Sequence, residues 1–404
     1  MSTTDSQIPL WMDDKFIMSA ISHYENNPQA KVLQYSIEIA KKSGGNQSGS
    51  AVYRSAIIYC SNSIIDKIFT IIKTQPVVEN AEKLEDVTAF NVETSMYKIL
   101  SKIQVLMQSI GDSDVLCPRL IFQSMEPQPV IFLEDVHMNG FDYMIDTIPE
   151  DFEFSKMIAR RLGKFHAGSY YLNKIKQFNP AYFTFSIYED YQCINMLFDK
   201  PLRIFIEVLS SWIGYEKYVE PLKAFRKNFA SLGLKSYKPH KGSTTINVLN
   251  HGDFHSRNVL FRRDMDGTLS DMIMLDFQTC VFATPAIDLT YALYNFVSDS
   301  NRQKHRDEFI AIYHHQFVET LKQLGHQKHI PTLMDLQIEM LRNGNLQVIT
   351  AICLKYLSYF DYKRLEPEDF TNGMRSIKVK AFNSDGFKKM ISEELPRFLY
   401  SGII

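Results

Sequence analysis

Residues 248–261 read VLNHGDFHSRNVLF, and residues 272–278 read MIMLDFQ. Both runs are apolar enough for burial, yet they carry Asp253, Asn258 and Asp276 at their edges. An ionised carboxylate withdrawn from water is costly unless something positive meets it. Any one of these residues, taken alone, reads as a turn residue or a helix cap. Taken together, with Asn258 five positions after Asp253 and Asp276 on the next strand-like run, they describe a site for phosphoryl transfer. Asn258 and Asp276 are hard oxygen ligands that suit Mg²⁺, an ion that keeps waters and takes further oxygens from phosphates. Asp253, set back from the ion, can accept a proton from a hydroxyl, and phosphoryl transfer needs both parts.

The chain upstream supplies the complementary half. Residues 31–41 alternate as a strand, and SGGNQSGS (Ser43 to Ser50) is a glycine and serine turn. AVYRSAIIYC and KIFTIIK read as two further strands. Val87, Phe90, Met96, Ile99 and Ile103 recur at helical spacing and predict a helix within 83–110. RLIFQSM and VIFLEDV add two more strands. In the glycine loop, the backbone N–H groups of Ser48, Gly49 and Ser50 can approach phosphate oxygens. Lys73 ends an apolar strand where it can reach the α- and β-phosphates, and Glu93, on the helix that follows, can pair with it. Most glycine turns are plain hairpins and most strand-end lysines are solvated. It is their order along the chain that points to function.

After about residue 136 the texture changes. SKMIARRLGKFHAGSYYL reads as an amphipathic helix, and most of the remainder is helical apart from short β-like pieces around 248–278. The expected fold class is α+β, a small β-sheet lobe with one main helix joined to a larger, mostly helical lobe. The expected division is an N-terminal extension over 1–30, a nucleotide-binding lobe over 31–136, and a catalytic and substrate lobe over 137–404. FLEDVHMNG is the expected hinge.

A chain of 404 residues has room for such lobes. With 45% hydrophobic and 22% charged residues the composition is globular. A net charge of −2 and the lack of a basic stripe give no reason to expect a nucleic-acid partner. Cys60, Cys117, Cys193, Cys280 and Cys353 are scattered without metal-ligand spacing. An odd count behind the polar, acidic start MSTTDSQIPLWMDDKF implies reduced thiols and a cytoplasmic setting. No apolar run approaches the roughly 18 residues that span a bilayer.

These residues resemble the kinase-like superfamily that includes choline kinases and aminoglycoside phosphotransferases, and most closely the ecdysteroid-kinase-like (CHK kinase-like) family of insects. GNQSGSAVYR, FTIIK, NVETSMYKIL, VIFLEDV, LGKFHAGS, LNHGDFHSRNVLF, MIMLDFQ and TPAIDLTYALY carry the resemblance over most of the chain. HGDxxxxNxxF with DFQ is specific to the superfamily, while LEDV and KFHA favour the insect group. The resemblance implies a bilobal protein-kinase-like fold and an ATP- and Mg²⁺-dependent small-molecule kinase. It implies Asp253 as catalytic base, Asn258 and Asp276 as metal ligands, and Lys73 with Glu93 as the ion pair that orients the nucleotide. It also implies that backbone groups of Glu134 and Val136 meet adenine, that His251 and Asp288 brace the catalytic loop, and that His166 packs beneath it. The sequence departs from relatives in three places. Gln278 replaces the glycine of the protein-kinase D-F-G, His255 stands where many family members carry a bulky aromatic, and the glycine loop lacks G-x-G-x-x-G.

The run from Gln278 to Asp288 is too short to dock a peptide, so a small alcohol is the expected acceptor. The resemblance points to ecdysteroids and other hydroxylated lipophiles. FNPAYFTFSIYEDYQ (Phe178 to Gln192) offers aromatic side chains for a pocket or for a core. A choline- or ethanolamine-type acceptor needs an aromatic cage with a carboxylate nearby, and Tyr188, Glu189, Asp190 and Tyr191 contain the parts for one. A kinase-fold protein that binds a ligand with little turnover is a third reading, opposed by the intact Lys73, Asp253, Asn258 and Asp276.

Overall fold

The alternating segments near the N-terminus form an antiparallel sheet. The computed structural model describes residues 8–40, 51–75, 84–144, 148–242, 245–359 and 373–404, so Ser48, Gly49 and Ser50 lie outside the described residues. The chain divides into two compact units, Met1–Ile145 with Ser256–Thr279, and Asp146–His255 with Cys280–Ile404. The first holds α1 (Asp14–Tyr24), β1 (Lys31–Ile39), β2 (Ala51–Ser61), β3 (Ile64–Thr74), α2 (Leu84–Ser109), β4 (Leu120–Ser124) and β5 (Val130–Glu134). These strands pair antiparallel in the order β1-β2-β3-β5-β4. The expected class, a sheet with one main helix followed by a mostly helical part, is the class observed.

Successive side chains of a strand point to opposite faces. Tyr53, Ile57, Tyr59, Ile68 and Ile72 are therefore buried together on one face, with Val130 and Phe132. α1 covers that face through Ile17, Ala20 and Ile21. The polar, acidic character of residues 1–30 predicts an extension, and the helix within it is a finding of the structure. Asp13 caps α1 by accepting the Phe16 N–H, and Asp14 lies in its first turn, where negative charge is favoured. Lys73 follows Ile72 by one residue, so its side chain leaves from the opposite face, towards α2.

The first unit also contains β6 (Phe141–Tyr143), β7 (Val259–Arg263) and β8 (Leu269–Met274), an antiparallel sheet in the order β6-β7-β8. Val136, Phe141, Leu260 and Ile273 form its small apolar core. The chain leaves the first unit after Ile145 and comes back to it over Ser256–Thr279. The return of Ser256–Thr279 to the first unit leaves no compositional trace, because one short hairpin reads alike in either place.

The second unit carries α3 (Phe152–Lys174), α4 (Lys200–Leu209), α5 (Glu216–Ser236), α6 (Ala286–Asn295) and α7 (Asp299–Gln323). Two three-residue strands, Val248–Asn250 and Val281–Ala283, pair within it. No helix among the described residues is long and apolar enough to cross a membrane. α3 and α7 approach closely at Gly163, where a Cβ would stand 2.8 Å from the backbone oxygen of Tyr313. That approach lets His166, on the next turn of α3, reach the Tyr313 hydroxyl at 2.8 Å. Gly163→Ala is expected to push the helices apart at a backbone atom that cannot swing aside, costing about 1–3 kcal/mol as other overpacked sites do. Urea unfolding measures it, and an unchanged midpoint would contradict the close contact.

Candidate active site

Lys73 Nζ lies 2.6 Å from Glu93 Oε2 and 2.8 Å from Asp276 Oδ1. Glu93 is 1% exposed, so its charge depends on these neighbours. Tyr97, one turn further along α2, meets Phe277 edge-on at 5.5 Å, and the Phe277 backbone N–H donates to Glu93. α2 thus holds both the lysine and the Asp276–Phe277 turn. Burial works against the Lys73 charge, but Glu93 and Asp276 more than offset it and raise its pKa above that of an ordinary lysine. Burial also pushes the Glu93 carboxyl up against the pull of Lys73, and the Asp276 charge adds to that push. One ammonium facing two carboxylates leaves an excess of negative charge, an environment that favours a further cation.

Asp276 has φ +62, the left-handed region that few residues other than glycine adopt. Such strain, of order 1–3 kcal/mol, persists where surrounding structure enforces it and clusters at functional sites. The β7–β8 register supplies part of the enforcement. Val259 pairs with Met274, and the Leu275 N–H donates to the Asn258 carbonyl at 2.8 Å. Asn258, buried in the one-turn helix Ser256–Asn258, and Asp276 therefore stand at adjacent strand ends. An amide oxygen and a carboxylate are the donor types that match Mg²⁺, which takes one or two carboxylates from the protein and other oxygens from phosphates and water. Both residues fit that ion.

In the second unit, Asp288 is fully buried in the first turn of α6. It accepts the backbone N–H groups of His251 at 2.6 Å and Gly252 at 2.9 Å. Gly252 sits at φ +83, which costs glycine nothing. His166 Nε2 lies 3.1 Å from Asp288, and its Nδ1 faces the Tyr313 hydroxyl. A carboxylate only accepts, so Nε2 carries the proton and Nδ1 accepts from Tyr313. Burial keeps His166 below the usual histidine pKa against the opposing pull of Asp288. Tyr313, His166 and Asp288 thereby anchor the loop that presents Asp253, whose side chain is 38% exposed. His255 places Nε2 3.2 Å from Asp253 Oδ2.

Glu134 ends β5, and its N–H donates to the Arg119 carbonyl at 2.9 Å. Val136 opens the one-turn helix Val136–Asn139 and is buried. Sequence reasoning passes over Asp135 between them. This buried acid accepts from the His137 backbone N–H and Nδ1 and faces Arg54 Nε at 2.7 Å. Burial opposes its ionisation, yet His137 and Arg54 hold the carboxyl below the usual range. The signal lies in LEDV, two adjacent acids of which alternation lets only one point outward.

The residues offered as an ammonium cage do not gather. Tyr188 is buried, stacked on Phe198 at 5.2 Å and tilted against Tyr237 at 5.4 Å. Tyr191 is 78% exposed. Asp190 caps the next helical turn by accepting from the Gln192 and Cys193 N–H groups.

A sheet unit whose strand lysine pairs with a helix glutamate is thus followed along the chain by a mainly helical unit. Residues 44–326 match the ecdysteroid kinase-like family, and the chain belongs to that family. Among solved structures it is similar to a spectinomycin phosphotransferase in complex with ADP and spectinomycin, with 12% identity, 90% of this chain and 94% of that chain covered, and a TM-score of 0.38. It is also similar to an aminoglycoside-3'-phosphotransferase of type VIII, with 11% identity, 77% and 93% coverage, and a TM-score of 0.32. None of the curated proteins compared with it matches.

Lys73→Met would leave Glu93 buried opposite Asp276 with no cation between them. The expected loss is about 3–5 kcal/mol, as when one partner of a buried pair is removed. Denaturant unfolding checks this, and a loss well under about 1 kcal/mol, the worth of an exposed pair, would contradict the burial described.

Proposed function

We propose that the protein is an ATP- and Mg²⁺-dependent kinase that transfers the γ-phosphate to a hydroxyl of a lipophilic acceptor, an ecdysteroid or related alcohol. The observation that carries the reading is the cluster of Lys73, Glu93 and Asp276, assembled despite buried charge and a left-handed backbone, in a chain of a kinase-like family. Lys73, held by Glu93, positions the α- and β-phosphates. Ser48, Gly49 and Ser50 offer backbone N–H groups to the phosphates, and Glu134 and Val136 offer backbone groups to adenine. Val136, Phe141, Leu260 and Ile273 supply an apolar wall for the base. Asn258 and Asp276 would hold Mg²⁺, which when bound neutralises charge on the phosphate oxygens.

Asp253 takes the proton. The bond between the γ-phosphorus and its bridging oxygen breaks, and ADP leaves with that oxygen. The acceptor oxygen forms the new bond to phosphorus, and its proton passes to the Asp253 carboxylate. Asp288, with His251 and His166, holds the loop so that the carboxylate is presented in one orientation. The dispersal of Tyr188, Asp190 and Tyr191 counts against an amino-alcohol acceptor caged by those residues. The five cysteines are thiols rather than disulfide partners, in keeping with a cytoplasmic setting.

Labelled phosphate transfer from ATP to an ecdysteroid, a simple sterol, choline and ethanolamine tests the function directly. Asp253→Asn is expected to lower kcat by about 10²–10⁴-fold, the usual worth of a general base, with nucleotide binding retained. Wild-type turnover in that variant would remove Asp253 from the role. Asp276→Ala is expected to weaken nucleotide binding in the presence of Mg²⁺ and leave metal-free binding nearly as it was. An unchanged response to Mg²⁺ would place the ion elsewhere.

A further inference from the structure

Inside the second unit, Tyr188, Phe198, Tyr237 and Tyr291 wall a cavity that also meets Thr290 and Leu354. Its free space accommodates about one water-sized group. None of its lining side chains is charged, which suits a neutral oxygen better than an ammonium.

Three features set this cavity apart from ordinary packing. The first is Thr290, which is 1% exposed and whose Oγ1 has no hydrogen-bond partner among the described residues. A buried hydroxyl left unpaired is destabilising, and helical threonines usually relieve this by bonding to the preceding turn. The second is position. Thr290 and Tyr291 lie on α6 within a turn of Asp288, whose carboxylate holds the His251 and Gly252 N–H groups beside Asp253. Burial raises the phenol pKa of both Tyr237 and Tyr291, and the Asp253 charge adds to the rise in each. The third is the pair of π-helical turns that border the cavity, Ile194–Asp199 with Phe198 and Thr350–Leu354 with Leu354. The Cys353 thiol donates to the Phe198 carbonyl at 3.4 Å and ties the two turns together. Such turns are rare and are frequent at functional sites.

We propose that this cavity receives one uncharged, oxygen-bearing substituent, a second hydroxyl or a carbonyl, of an otherwise apolar acceptor, and that Thr290 is the specificity-determining partner of that oxygen. The proposal rests on Asp253 acting on the acceptor and adds where the acceptor is read. A site built to pair a buried hydroxyl discriminates strongly against an analogue that lacks it, so deletion of the matching oxygen from the ligand and of the hydroxyl from the protein should have the same effect.

Thr290→Val and Thr290→Ser, assayed with ATP and Mg²⁺ on an ecdysteroid and its singly deoxygenated analogues, provide the test. Thr290→Val is expected to melt no lower than wild type, because an unpaired hydroxyl has been removed. Its KM for the steroid should rise about tenfold, the worth of one hydrogen bond, with little change in kcat or in KM for Mg-ATP. Thr290→Ser should restore the wild-type KM, and one deoxygenated analogue should be indifferent to the valine. An unchanged steroid KM in Thr290→Val would overturn the proposal. Phosphorylation of choline or ethanolamine alone would also overturn it, as would Mg-ATP binding with no steroid phosphorylated. If neither Mg-ATP binding nor transfer to any alcohol is found, it is the kinase reading that falls.

Discussion

Lys73 stands between Glu93 and Asp276, and much of the first unit is arranged around that ammonium. β3 aims it, α2 brings Glu93 to it, and the turn after β8 brings Asp276 at the cost of a left-handed residue. Buried ion pairs are poor sources of net stability, because desolvation offsets most of the attraction. A core of apolar residues in the same positions would serve folding as well or better. That three charged groups converge there, with one carboxylate more than the ammonium balances, fits a cation brought with a phosphate-bearing ligand better than it fits a role in stability.

A second carboxylate, Asp288, does comparable work in the helical unit with no lysine or arginine among its described partners. It accepts two backbone N–H groups and the His166 N–H, which satisfies a buried charge with dipoles alone. Neutral His166 is held in turn by Tyr313. The result is a loop held from behind by buried groups, with Asp253 at its edge. Thr290 and Tyr291, on the next turn of α6, extend that frame to the cavity.

Much of this is legible in the sequence for simple reasons. Period-two alternation marks β2 and β3, and it places Lys73 on the face opposite Ile72. The 3.6-residue period marks α2 and, with it, Glu93. HGDFHSRN and LDFQ stand out because an acid set inside an apolar run must be balanced by a ligand, a partner or a cap. What escapes depends on tertiary contacts. α1 is hidden because its acidic residues serve as cap and first turn while its apolar stripe is short. Asp135 is hidden because its partners, Arg54 and His137, come from a distant strand and a following turn. Tyr188 and Tyr191 are neighbours in sequence, yet one is a wall and the other is solvent-exposed, a difference set by the helical turns around them.

The most direct measurement is the affinity of a non-hydrolysable ATP analogue, by calorimetry, with Mg²⁺ and with a chelator. If Asn258 and Asp276 form a cation site in front of Lys73, the analogue should bind at least about tenfold, or roughly 1.4 kcal/mol, more tightly with the metal. Equal affinity under the two conditions would contradict the account at its centre.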